Sequence, residues 1–208
     1  MSDELPGRPS EVEYLETMKE SEISVIFKVR FRANTCVMKV VRMTSRLSTT
    51  PPNREVNPLV CESIAYARLK AEGLCGKGVV PEFYGMIRNI QPAKWAFLDM
   101  FVDDISPPNA ILIEYIPNLH QIDLSNFSKP RLTKLRRILD KVHEAEQGGQ
   151  ERVFWIDFGS AQELPAQGSR TPKQERRLRH EIELVDYFVD ALEGKLNSTV
   201  SYYYEWFV

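Results

Sequence analysis

Two runs rich in β-branched and aromatic residues, 23–31 and 35–41, are separated by little more than Ala33-Asn34. A break that short fixes a β-hairpin, and the hairpin constrains whatever packs around it. Residues 44–53, rich in Ser, Thr and Pro, read as a loop leading to Asn57-Pro58. Asparagine there can cap a helix and proline suits its first turn, so a helix is expected from this point to Gly73, a natural C-terminal stop. Residues 81–87 and 110–116 are short apolar runs flanked by prolines and read as two more strands, separated by an insertion rich in Trp, Phe, Asp and Pro. From Pro130, Leu132, Leu135, Ile138, Leu139 and Val142 recur at helical spacing, with a solvated basic face between them. A last helix opens at Thr171-Pro172-Lys173-Gln174, which combines a capping box with proline at the first position. It closes at Gly194, and Leu178, Ile182, Val185, Val189 and Leu192 form its apolar stripe. Residues 1–20 mix Pro, Gly, Ser and Glu with few hydrophobes and are expected to form a disordered or loosely attached tail.

At 208 residues, 43% of them hydrophobic, the chain can fill one core divided over two small lobes, whereas two independent domains would be crowded. A net charge of -2 gives no electrostatic pull toward nucleic acid or acidic membrane, so neither is expected as a partner. Cys36, Cys61 and Cys75 are an odd number without C-x-x-C spacing, which suits buried small hydrophobes in a reducing compartment. The acidic first twenty residues lack an apolar signal segment, and no run approaches bilayer length. The expectation is an intracellular protein, cytoplasmic or nuclear.

Lys39 falls among Val37, Val40 and Val41 in a strand pattern, an awkward place for a cation without a partner. Glu62, one turn into the expected helix with Tyr66 and Leu69 on the same face, is the candidate partner. Alone, a strand lysine is usually a solvated edge residue and an early helix glutamate a favourable dipole contact. Here they stand in the order strand-Lys, helix-Glu, strand, strand, helix, and then a strand, residues 153–156, that runs into Asp157-Phe158-Gly159. In that order each supports the other.

The wording of these segments is specific: Val37-Met38-Lys39-Val40, Cys61-Glu62-Ser63-Ile64-Ala65-Tyr66, Val80-Pro81-Glu82-Phe83-Tyr84-Gly85, Ile113-Glu114-Tyr115-Ile116-Pro117 and Trp155-Ile156-Asp157-Phe158-Gly159. Over about residues 23–207 the chain resembles the divergent protein-kinase-like proteins common in filamentous fungi. The resemblance implies an α+β fold of two lobes, a kinase-like N-lobe over 21–117 and a reduced, interrupted helical C-lobe over 118–208. It also implies ATP and Mg²⁺ as cofactors. Lys39 and Glu62 would form the ion pair that faces the phosphates, and Asp157 would bind the metal. Residues 113–117 would link the lobes and face the adenine, with Glu114 and Tyr115 as nucleotide contacts.

Two departures from that pattern bear on activity. No glycine lies between Gly7 and Gly73, so the glycine-rich turn whose amides approach phosphates is missing. Nor is there an H-x-D-x-x-x-x-N loop: no aspartate lies between Asp140 and Asp157, and no asparagine between Asn126 and Asn197. Asp140, Glu144 and Glu146 lack the partner asparagine, His143 reads as a helix-end residue, and His120 and His180 have no metal-ligand spacing. No catalytic base is assigned. The expected function is a catalytically impaired kinase-like domain that binds nucleotide weakly or docks a protein partner. The alternatives are an active phosphotransferase with an unconventional base, and a splice or gene-model variant of an active kinase that lacks a segment near residues 145–150. The aromatic run at 202–207 reads as hydrophobic closure of the C-lobe.

Overall fold

The computed structural model describes residues 4–43, 57–119, 133 and 169–192. They divide between two units, residues 4–117 and the remainder. The first unit holds strands β1 (Val12–Glu20), β2 (Ser24–Phe31), β3 (Asn34–Val41), β4 (Phe83–Ile87) and β5 (Asn109–Glu114), with helix α1 (Pro58–Ala71) between β3 and β4 in sequence. The strands form one sheet in the order β1-β2-β3-β5-β4, each pair antiparallel.

Alternation along β2 assigns the two faces. Val25, Phe27, Val29 and Phe31 are buried on one face, together with Cys36, Met38, Val40, Ala110 and Leu112 from the strands beside it. This face is roofed by the connection between β4 and β5, whose Trp95, Leu98 and Phe101 are buried in the same cluster. Phe97 packs edge-on against Phe27, with ring centroids 5.2 Å apart. Arg42, just past β3, latches the roof. Its guanidinium pairs with Asp104, donates to the Met100 carbonyl at 2.9 Å and lies over the Phe101 ring.

The opposite face carries Ile26, Lys28, Lys39 and Ile111, and α1 packs there against β4 and β5. The Asn57 side chain accepts from the amides of Leu59 and Val60, at 3.0 and 3.3 Å, and Pro58 occupies the first turn. Leu59, Glu62, Tyr66 and Leu69 are buried, and the Tyr66 ring stacks on Phe83 at 5.7 Å. The helix ends before Gly73, whose φ of 75° favours glycine.

The first twenty residues differ from expectation. Instead of a loose tail, Val12–Glu20 form the edge strand β1. Two register shifts, between Tyr14 and Glu16 and between Thr17 and Lys19, disrupt the period-two pattern by which a strand is recognised. An ion pair joins β1 to β2, Glu16 with Lys28 at 2.9 Å, and another joins Glu11, just before β1, to Arg32 in the hairpin turn at 3.0 Å. Upstream, Glu4 bridges Met86 at the far edge of the sheet, and the Leu5 amide donates to the Met86 carbonyl at 2.8 Å. Gly7 has φ +60°, and a Cβ there would lie 2.8 Å from an Ile87 methyl, so only glycine passes. The hairpin turn is also one residue off: Arg32 and Ala33, with φ of 46° and 68°, make the turn, and Asn34 already pairs with Phe31.

The second unit contributes α2 (Pro172–Leu192). Its capping box is present. The Thr171 amide donates to the Gln174 side chain at 2.8 Å, and the Gln174 amide donates to the Thr171 hydroxyl at 3.3 Å. Leu178, Ile182, Val185 and Val189 are half-buried along one stripe. Of the helix expected from Pro130 only Thr133 is described, and it is helical; the expected loop at 44–53, the strand running into Asp157-Phe158-Gly159, the junction at 145–150, Gly194 and the aromatic run at 202–207 lie outside the described residues. No helix among the described residues is long and apolar enough to cross a membrane.

All three cysteines are buried thiols outside any disulfide. Burial pushes the Cys36 thiol up to about 11 and raises Cys75 as well. The native chain at pH 8 is therefore expected to leave all three thiols unreacted with a disulfide reagent, and to release three equivalents in denaturant. A native equivalent would contradict this packing. The folded state favours the protonated thiol, so the Cys36 contribution to stability is intact below the ordinary value of 9.0 and drains as pH rises toward 11.

Candidate functional site on one sheet face

Lys39 sits in mid-strand on β3, in register with Ile26 on β2 and Ile111 on β5. α1 places Glu62 opposite it, and the Lys39 Nζ lies 2.7 Å from the Glu62 Oε2, with side-chain exposures of 19% and 3%. The two residues singled out from the sequence are thus brought together. Desolvation of the pair, heaviest at Glu62, offsets much of its attraction, so the contact is not by itself a source of stability. Beside it runs a half-buried apolar strip of Ile26, Val37 and Ile113. An ammonium fixed by a carboxylate next to an apolar strip can receive a phosphate at one end and a ring at the other.

Glu114, the last residue of β5, and Tyr115 after it, the two expected nucleotide contacts, both make contacts within the sheet. The Glu114 carboxylate accepts from the Glu82 amide at 3.1 Å, while the Glu114 amide donates to the Glu82 carbonyl at 2.8 Å. This reciprocal pair clamps the end of β5 to the approach of β4. The Tyr115 amide donates to the Thr35 carbonyl at 3.2 Å, and the Tyr115 ring lies under the Lys28 ammonium, 4.4 Å from its centroid. Lys28 is opposite Val37, and its ammonium donates to Glu16 at 2.9 Å. That hydrogen bond, the largest cause, holds the Lys28 pKa above its ordinary value. The trio Glu16, Lys28 and Tyr115 was not legible in the sequence, because Glu16 belongs to the strand read as a tail.

The turn between β1 and β2 closes upon itself. The Ser21 amide donates to the Ser24 carbonyl at 2.9 Å, and the Ser24 amide donates to the Ser21 hydroxyl at 3.1 Å. Those amides are spent within the turn, and the exposed Glu20 and Glu22 add negative charge there. The Ser21 and Ser24 amides are thus not offered to a phosphate as those of a glycine-rich turn would be. Among the described residues no group of three or more His, Cys, Asp or Glu could hold a metal ion. Asp157 lies outside them. No protein-family model matches the chain, and no curated protein matches it.

Proposed function

We propose that the chain is a two-lobed, protein-kinase-like domain that holds a Mg²⁺-nucleotide weakly and does not transfer phosphate efficiently. The observation that carries this reading is the 2.7 Å contact between Lys39 on β3 and Glu62 on α1, the arrangement a phosphate-neutralising lysine requires. Asp157 would supply a carboxylate to the metal, and bound Mg²⁺ would neutralise phosphate charge. Weakness follows from the self-closed, acidic turn at Ser21 and from a sequence with no base or second metal ligand at the required spacing. One observation favours a second reading as a protein-docking module: Met100, Val102 and Ile105 are exposed on the β4–β5 connection.

The test is a thermal melt with Mg²⁺-ATP beside a phosphate-transfer assay. For a Kd on the order of 1 mM, about 5 mM nucleotide stabilises the fold by about 1 kcal/mol, a shift of a few degrees. That shift is expected in the parent chain and absent in Lys39→Met, and phosphate transfer to a generic protein substrate is expected to be equally absent from both. Turnover that disappears in Asp157→Ala would replace this reading with an active phosphotransferase. A chain that ATP leaves unmoved would leave the docking module in its place.

A further inference from the structure

The proposed nucleotide site raises the question of what its apolar strip can accept. Lys28 and Lys39 project from the same sheet face, because Lys28 pairs with Val37 and Lys39 follows two residues on. Diagonal neighbours of this kind stand roughly 7–8 Å apart. A ligand whose phosphates reach Lys39 would have to lay its ring on the apolar surface adjoining it, that of Val37 and Ile113, which are opposite one another on β3 and β5. Lys28 flanks that surface. Its ammonium is held from one side by Glu16 at 2.9 Å and from the other by the Tyr115 ring at 4.4 Å. A ring entering the strip must either displace the ammonium from both contacts or lie against it, and neither course gives the dry apolar contact from which ring burial gains its energy.

We infer that the Glu16–Lys28–Tyr115 trio removes the base-reading half of this site, so that the face takes the polyphosphate of its ligand and is indifferent to the base. This rests on the nucleotide-binding reading above and narrows it to a ligand class, Mg²⁺-polyphosphates, in which the nucleoside adds nothing. Lys28 is then the specificity-determining residue, acting by occlusion and leaving phosphate contacts to Lys39.

The full chain is titrated with Mg²⁺-ATP, Mg²⁺-GTP and Mg²⁺-tripolyphosphate. The three dissociation constants are expected to agree within about threefold. In Lys28→Val, which restores an apolar neighbour for Val37, ATP is expected to bind about tenfold tighter while tripolyphosphate stays within about threefold of its parent value. Lys28→Met, which keeps the aliphatic stem, supplies the same comparison if the valine variant folds poorly. ATP binding at least about tenfold tighter than tripolyphosphate in the parent chain overturns the inference, as does an ATP affinity unchanged by both substitutions. In either case nucleotide binding itself stands. If parent and variants, all folded by circular dichroism, bind none of the three ligands, the inference and the nucleotide-binding reading fall together.

Discussion

Replacing residues 91–107 with a two-residue Asn-Gly turn is expected to unfold the first unit. At first sight the connection between β4 and β5 is a long surface loop, the kind of segment that tolerates shortening. Its side chains contradict that. Trp95, Leu98 and Phe101 are buried in one cluster with Val25, Phe27, Met38, Val40 and Leu112, a sheet face that outside the connection is further covered only in part, by Leu5 of the N-terminal segment among the described residues. At about 1.5–3 kcal/mol for each large apolar side chain, the three together contribute roughly 5–9 kcal/mol. That is comparable with the whole stability of an ordinary domain, about 5–15 kcal/mol. Loss of the cooperative urea transition is the expected result. The single substitution Phe101→Ala should keep the transition and cost about 3–4 kcal/mol. A shortened chain that melts cooperatively within about 2 kcal/mol of the parent would show that the roof is dispensable.

The second large effect is expected at the buried pair, in a double-mutant cycle on Lys39 and Glu62. Lys39→Met leaves the nearly fully buried Glu62 carboxylate without the ammonium 2.7 Å away. Glu62→Leu removes the carboxylate from an ammonium that retains partial access to water. Each single change should therefore cost about 2–4 kcal/mol, with Lys39→Met the more damaging. Combined, they substitute one apolar contact for a desolvated ion pair and should cost less than their sum, by about 1–3 kcal/mol. Additive losses in urea melts would mean that the two residues act separately, and would remove the geometric basis for the phosphate site.

Where a residue's local neighbours decide its conformation, the sequence alone was informative. The β2–β3 hairpin, the Asn57-Pro58 start of α1, the two short strands β4 and β5 and the Thr171–Gln174 capping box all depend on contacts a few residues apart, and all are present. The Lys39–Glu62 contact was legible for another reason. A lysine in an apolar strand needs a partner, and few carboxylates were placed to supply one. What failed was whatever tertiary pairing imposed. β1 carries two bulges, so Leu15 and Met18 fall outside its period-two register, and its ion pairs to β2 give no signal in a linear reading. With β1 unseen, Glu16 could not be assigned to Lys28. Tyr115 was legible as part of the segment after β5, but not as the ring beneath a second lysine. Similarly, the aromatic residues of the β4–β5 connection announced burial without saying which face they would cover.

The segment from Glu4 to Glu11 connects the two extreme edges of the sheet, bridging Met86 of β4 before the chain enters β1 at the opposite side. This has a kinetic consequence. The β2–β3 hairpin closes over two residues and can form within microseconds, whereas the contact between residues 5 and 86 must await nearly the whole sheet. The N-terminal clasp is therefore expected to close late in folding, and none of residues 4–11 is fully buried to hold it once closed. When it opens alone, it bares the outer rim of β4 and withdraws Leu5 from the edge of the core cluster. Strand-to-strand joining between copies would begin from that brief opening, at the beginning of the chain and on the opposite side of the sheet from the bulged, charge-laden β1.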